Sequence, residues 1–490
     1  MRSVNQLSIT GFLCAAGIAF AQSGSGTGPA TPIQHVVVIF GENISFDHYF
    51  ATYPRALNPE GEPKFVAAPN TPTVNGLTPM LLTSNPNSTQ PFRLDRSMAM
   101  TCDNDNHYSD EQAAYNGGLL NKFADITSAV GPGCQTGLSM GYYDGNTVTA
   151  LWNYAQHYSM SDNFFDTEFG TTVMGHLNLI SGQTHQTSVA GINGKIANGS
   201  VIANVEAGFD DCVTTANGTP VQMTSLNVGD LLNAKGISWG WFYADFPQSA
   251  DNNPITACPS TYNSHYAPFQ YYKSTSNIHH LPPGSVAAIG TSADQANHNY
   301  TVNDFWNAAK SGHLPAVSFI KAAKPQTGHP SDSTPPAEQQ FLVTTINALQ
   351  QLPEWKNMAI LISYDDSDGW YDHVMPPIVN RSNDPAQDTL LGTGMCGTPA
   401  PGAYLDRCGY GTRLPLLLIS PYAKKNHVSH SLADLTSILR FIEDNWNLGQ
   451  IGDQSFDAMA GSILDNFDFT SAPRTKALLL DPTSGQPIRP

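Results

Sequence analysis

The sequence predicts an α/β protein with a central, mostly parallel sheet sandwiched by helices. Three observations predict it. His35-Val-Val-Val-Ile-Phe40 is an unbroken β-branched and aromatic run stopped by Gly41, which is how a strand buried on both faces reads. Met358-Ala-Ile-Leu-Ile-Ser363 and residues 414–420 repeat that pattern. Between such runs lie segments whose apolar residues recur at helical spacing, and strands alternating with helices imply a sheet covered on both faces.

Taken in order, the first strand is 35–40, and residues 58–98, rich in Pro, Asn and Thr, form a surface excursion. Helical patterns follow at 109–125 and 146–157. Met160-Ser-Asp-Asn-Phe-Phe165 is strand-like, and a Gly-Thr-Thr turn leads into a periodic segment over 172–181. A helix near 223–235 precedes the strand Ile237-Ser-Trp-Gly-Trp-Phe-Tyr243, and 249–300 is a second excursion. Then come a helix at 301–311, a strand at 314–320, a helix at 336–351, the strands 358–363 and 414–420, and an amphipathic helix at 431–447. No repeat and no dividing linker is visible, so residues 22–490 read as one elaborated α/β domain.

Residues 1–21 read as a secretory signal peptide. Met1-Arg2 precede an apolar stretch over 7–20, and Ala19-Phe20-Ala21 is a small-x-small cleavage signature. The rival reading, a membrane anchor, fails on length, since a span needs roughly 20 apolar residues. The expectation is therefore a secreted or periplasmic protein with no stable membrane anchor. Export permits disulfides. Six cysteines follow the leader: Cys102, Cys134, Cys212, Cys258, Cys396 and Cys408. They allow many pairings, of which the sequence-local one (102–134, 212–258, 396–408) is simplest. The chain has 40 acidic and 22 basic residues. That balance argues against a nucleic-acid partner and against electrostatic capture by anionic membranes.

Three polar clusters directly follow predicted buried strands, where open α/β sheets place ligands. They are Glu42-Asn43, then Gly170-Thr171-Thr172 at a turn opening a helix, and Tyr364-Asp-Asp-Ser-Asp-Gly369. Adjacent carboxylates at a strand end call for a compensating cation. Glu42, Asn43, Asp365 and Asp366 make an all-oxygen set suited to a hard divalent ion. Each cluster also has a plainer reading: a solvated Asp turn, a surface Glu, an N-capping Thr. Thr172 becomes a nucleophile only if the clusters converge, since metal coordination activates a hydroxyl and a helix N-terminus accommodates phosphate. Of the fifteen histidines, His107, His279, His280, His329 and His373 stand in polar contexts. As a group they could act as general acids and as donors to phosphate oxygens; singly, each is more readily a surface or hydrogen-bonded structural histidine.

Several stretches together resemble the phosphoesterase family of bacterial phospholipases C and acid phosphatases, within the alkaline-phosphatase-like superfamily. They are the run from His35 to Phe50, the run Gly170-Thr-Thr-Val-Met-Gly-His-Leu-Asn-Leu-Ile-Ser-Gly182, and the run from Ile362 to Pro377. Gly328-His-Pro330, 413–421 and the helix beginning at Leu432 match more weakly. The resemblance implies an alkaline-phosphatase-like fold and one divalent ion, Ca²⁺ first, with Mg²⁺, Mn²⁺ and Zn²⁺ as alternatives. It implies Glu42, Asn43, Asp365, Asp366 and Thr172 as metal ligands. It makes Thr172 the nucleophile, with Thr171 as the alternative register, because Thr171 and Met174 stand where the family usually has prolines. His329, His107, His279 and His280 would surround the phosphate. The implied substrate is a phosphate ester or phospholipid head group, split through a phosphothreonine intermediate. A non-catalytic exported protein that binds metal and phosphate on the same fold is the alternative.

Overall fold

The computed structural model describes residues 28–213 and 219–488. The leader reading over 1–21 lies outside them.

Eight strands form the main sheet. They are β1 (His35–Gly41), β2 (Ser159–Ser161), β3 (Trp239–Tyr243), β4 (Asn299–Thr301), β5 (Val317–Lys321), β6 (Met358–Tyr364), β7 (Leu416–Ile419) and β8 (His427–Ser429). Their spatial order is β8-β2-β7-β6-β1-β5-β3-β4. All neighbours run parallel except β7, which is antiparallel to both β6 and β2. The sheet is thus mostly parallel, as the continuous apolar runs require. The interior of β1 and the whole of β6 are buried, which is the signature of strands covered on both faces.

The helices used below are α1 (Tyr108–Tyr115), α2 (Thr149–His157), α3 (Thr172–Ser181), α4 (Val228–Lys235), α5 (Val302–Lys310), α6 (Pro335–Leu349) and α7 (Leu435–Trp446). Every residue of α3 is buried, so this helix is packed on all sides; α7 is one of its neighbours. One hydrophobic cluster reaches from Ile33 to Leu480.

Several boundaries differ from the sequence expectation, each for a local reason. The helix expected over 109–125 stops at Tyr115, because Asn116, Gly117 and Gly118 all take positive φ. A separate turn of helix follows at Phe123–Ile126. The helix expected from 223 begins at Val228, where Asn227 and Asp230 form a capping box. The one expected from 431 begins at Leu435, capped by Asp434. Ala433–Asp434 instead pairs with Phe164–Phe165 in a small parallel ladder. Strands β4 and β8 carry no sequence signal strong enough to be anticipated. The cysteines pair in the sequence-local way, Cys102–Cys134, Cys212–Cys258 and Cys396–Cys408. No described helix is long and apolar enough to cross a membrane.

Candidate active site

Register builds the site. In the parallel pair β1–β6, Gly41 lies opposite Tyr364, so the next residues, Glu42 and Asp365, leave the sheet side by side. In the pair β1–β5, Ile39 lies opposite Ile320, which places Lys321 on the same edge. Helix α3 is pressed onto that edge at Gly175: a Cβ there would stand 1.9 Å from the Asp365 carbonyl oxygen. The close approach brings Thr172, the first residue of α3, to the strand ends.

Glu42, Asp365 and Asp366 are wholly shielded from solvent, and Asn43 and Thr172 nearly so. Asn43 donates from its backbone to Asp365 Oδ1 at 2.9 Å and from its side chain to Asp368 Oδ1 at 2.7 Å. Asp366 Oδ1 accepts from Asn106 Nδ2 at 3.0 Å and from the Asp368 backbone at 2.7 Å. Thr172 Oγ1 lies 3.5 Å from Asp366 Oδ2. The expected ligand set therefore does converge, with Asp368 and Asn106 as supports that the sequence reading did not single out.

Three oxygens of this set, Glu42 Oε2, Asn43 Oδ1 and Asp365 Oδ2, are buried with no hydrogen-bond partner. Buried acceptors are rarely left so, and three convergent orphans of this chemistry fit a hard divalent cation. The electrostatics agree. Burial, and then the neighbouring Asp365, push the Glu42 carboxyl well up, against the pull of Lys321. Burial and Asp365 likewise raise Asp366, against the lowering by Asn106 and the Asp368 amide. A bound cation would reverse both shifts.

His176 stands one turn after Thr172. Its Nδ1 donates to the Thr172 carbonyl at 2.8 Å, which leaves Nε2 carrying the lone pair. Nε2 is buried without a partner and lies 3.7 Å from Glu42 Oε1. Burial and then Lys321 hold this imidazole well below its usual range, hence neutral. Glu42, His176 and Asp365 together form a cluster able to hold a metal ion. The signal for His176 was legible: i and i+4 share a helix face.

The other expected residues fall into two groups. His329 lies on the loop after β5, where the Thr327 carbonyl accepts from the Glu42 amide at 3.0 Å; its Nδ1 donates to the Pro330 carbonyl at 2.6 Å. His107 is exposed and bound to Asp105, and it adjoins Asn106, which holds Asp366. These two stand at the rim. His279 and His280 are held elsewhere: His279 Nδ1 pairs with Asp211 and His280 Nε2 with Asp210, each at 2.8 Å, and His280 packs against Phe246 and Tyr262. His373 belongs to a buried charge group with Asp47, Asp372 and Arg413. Thr171 is the residue preceding α3, yet its hydroxyl caps nothing and is buried unpartnered.

In place of His279 and His280, the second excursion delivers His265 and Tyr266. Tyr266 stacks on His176 with ring centroids 5.9 Å apart. His265 lies close enough to His176 to depress it further, and its Nε2 stands 3.4 Å from Glu206 Oε1. A histidine next to an aromatic, just before Pro268-Phe-Gln-Tyr-Tyr272, was the available signal.

The curated relatives align over most of the chain. Non-hemolytic phospholipase C of Burkholderia pseudomallei is 26% identical over 434 residues, 86% of this chain and 56% of that protein. Phospholipase C A of Mycobacterium tuberculosis is 25% identical over 464 residues, 92% of this chain and 80% of that protein. The chain thus spans little more than half the length of the first. A protein in the alkaline phosphatase superfamily from Vibrio parahaemolyticus overlaps 61% of this chain and 60% of its own at 10% identity and a TM-score of 0.30. The Phosphoesterase family model matches residues 33–449, a stretch that holds β1, α3 and β6 and all the residues of the cluster, and the chain belongs to the Phosphoesterase family.

Proposed function

We propose that this chain is an exported, metal-dependent phosphoric ester hydrolase of the phospholipase C or acid phosphatase type, with Thr172 as its nucleophile. The observation that carries the reading is the convergence of three partnerless buried oxygens, on Glu42, Asn43 and Asp365, with the Thr172 hydroxyl at a helix N-terminus. Glu42, Asn43, Asp365 and Asp366 would hold one divalent ion, with Ca²⁺ favoured by the oxygen donors and Mg²⁺, Mn²⁺ or Zn²⁺ as alternatives. When bound, such an ion lowers the pKa of a coordinated hydroxyl and offsets charge on a phosphate oxygen.

The chain's own groups supply the rest. The positive end of α3, where Thr172 stands, favours the negative charge of a phosphate. Thr172 Oγ1 passes its proton to Asp366 Oδ2, 3.5 Å away, and bonds to phosphorus as the ester oxygen leaves; a histidine, His329 at the rim or the buried His265, protonates that oxygen. Water then cleaves the phosphothreonine. The substrate is a phosphate monoester or a phospholipid head group. Three disulfides suit an oxidising compartment.

The test pairs two substrates, p-nitrophenyl phosphate and p-nitrophenylphosphorylcholine, with and without chelator, for wild type and Thr172→Ala. Hydrolysis that needs metal and vanishes in Thr172→Ala is expected, and the preferred substrate separates phosphatase from phospholipase C. Full activity in Thr172→Ala would remove the nucleophile assignment.

A further inference from the structure

Lysine is almost never fully buried unless paired, yet Lys321, the last residue of β5, has no exposed surface. Its ammonium forms an ion pair with Glu42 Oε1 and donates to the Gly41 carbonyl at 3.1 Å. It also lies over the rings of Phe40 and Tyr266, 5.2 and 4.7 Å from their centroids. Carboxylate, carbonyl and two aromatic faces make a pocket built for a cation.

We infer that Lys321 is the site's internal counter-ion, neutralising one ligand carboxylate and thereby limiting the site to a single divalent ion. The inference rests on the metal-dependent reading of Glu42, Asn43, Asp365 and Asp366. Glu42 is divided: Oε1 belongs to Lys321, while Oε2 is buried and unpartnered. Counting the ligand carboxylates alone, without the supporting Asp368 that accepts from Asn43, Glu42, Asp365 and Asp366 carry three formal negative charges, and Lys321 one positive. The remainder of two is what one divalent ion balances. The donors for a second ion are nonetheless present. His176 Nε2 is buried without a partner and stands 3.7 Å from Glu42 Oε1. An imidazole and a carboxylate oxygen that face each other so closely could share an ion, and paired metals in phosphoryl-transfer enzymes are commonly about 4 Å apart. Lys321 holds the Glu42 oxygen that such an ion would need. Its charge also repels a dication from that side.

The experiment counts ions rather than turnover. Full-length protein is stripped with chelator and dialysed against graded Mn²⁺, and bound metal is measured by elemental analysis and electron paramagnetic resonance. Wild type should bind one Mn²⁺ per chain. Lys321→Met, which keeps the apolar stem between the rings, should bind a second Mn²⁺. One ion bound, at whatever affinity, overturns the inference while leaving the metal reading intact. No Mn²⁺ on wild type overturns the metal reading itself, and the inference with it. Circular dichroism checks folding. If Lys321→Met does not fold, Lys321→Gln, which retains a donor for the Gly41 carbonyl, carries the same measurement with the same outcomes. The double variant Glu42→Gln with Lys321→Met restores the charge balance and should return to one ion.

Discussion

Gly175 and Asp365 touch backbone to backbone: a Cβ on Gly175 would stand 1.9 Å from the Asp365 carbonyl oxygen and 2.6 Å from its carbonyl carbon. Neither atom is the end of a flexible side chain, so Gly175→Ala must push α3 away from the strand ends. The expected cost is about 1–3 kcal/mol of stability, seen as a lower thermal midpoint. Activity should fall by more than that stability loss explains, because Thr172 rides on the displaced helix. An alanine variant with wild-type turnover would mean that Thr172 need not be held against Asp366.

Thr171 and Thr172 are neighbours with opposite environments. Thr171 Oγ1 is buried with no partner, whereas Thr172 Oγ1 lies near Asp366. Replacing an unsatisfied buried hydroxyl by a methyl of the same shape is neutral or stabilising. Thr171→Val should therefore keep activity and match or slightly exceed wild-type stability. Thr172→Val should retain the fold but lose roughly three orders of magnitude in turnover or more. The reverse pattern, with turnover lost in Thr171→Val, would shift the nucleophile by one residue.

His48 predicts an acid limb of stability. It is buried, stacked on Trp370 with ring centroids 3.7 Å apart, and its Nδ1 donates to the Gly141 carbonyl at 2.8 Å. Burial holds its pKa down at about 3, against the raising effect of the Gly141 bond. An unfolded histidine takes its proton near pH 6.5. Between those values the unfolded chain binds the extra proton, so stability falls as pH drops from about 6.5 toward 3. His48→Asn, which keeps a donor for Gly141, should be less stable at pH 7 but show a flatter decline of thermal midpoint from pH 6 to 4. Parallel declines in the two proteins would assign the acid sensitivity to other groups.

The parts of the fold that were legible in the sequence share one property. Strands β1 and β6 are buried on both faces, so their apolar runs are unbroken and end where chemistry begins, at Glu42 and Asp365. Short edge strands such as β8 have no such run. Residues that follow a strand are conspicuous; residues inside one are not. Lys321 closes β5 and reads as an ordinary strand end, although pairing with Glu42 buries it completely. His176 lies in an apolar helix whose every residue is buried, and only its i, i+4 spacing from Thr172 marks it in the sequence. Register, which aligns Gly41 with Tyr364, depends on three-dimensional pairing and leaves no trace in either segment alone.

His265 and His280 separate a role in chemistry from a role in folding. His280 is fully buried with positive φ, and its ring is fixed by Asp210, which also accepts from the Tyr262 hydroxyl and the Cys212 amide. Its replacement leaves a buried carboxylate short of a donor, a loss worth about 1–3 kcal/mol. His265 sits beside Tyr266 and His176, its Nε2 3.4 Å from Glu206 Oε1 and without a hydrogen-bond partner. A general acid contributes roughly 10²–10⁴ in rate. His265→Gln should therefore keep its thermal midpoint and lose turnover, most of all with poor leaving groups that need protonation. His280→Gln should lose thermal midpoint and keep turnover per folded molecule. Steady-state rates on p-nitrophenyl and alkyl phosphate esters, read beside melting curves, decide it. Equal rate losses in both variants at unchanged stability would return His280 to the phosphate.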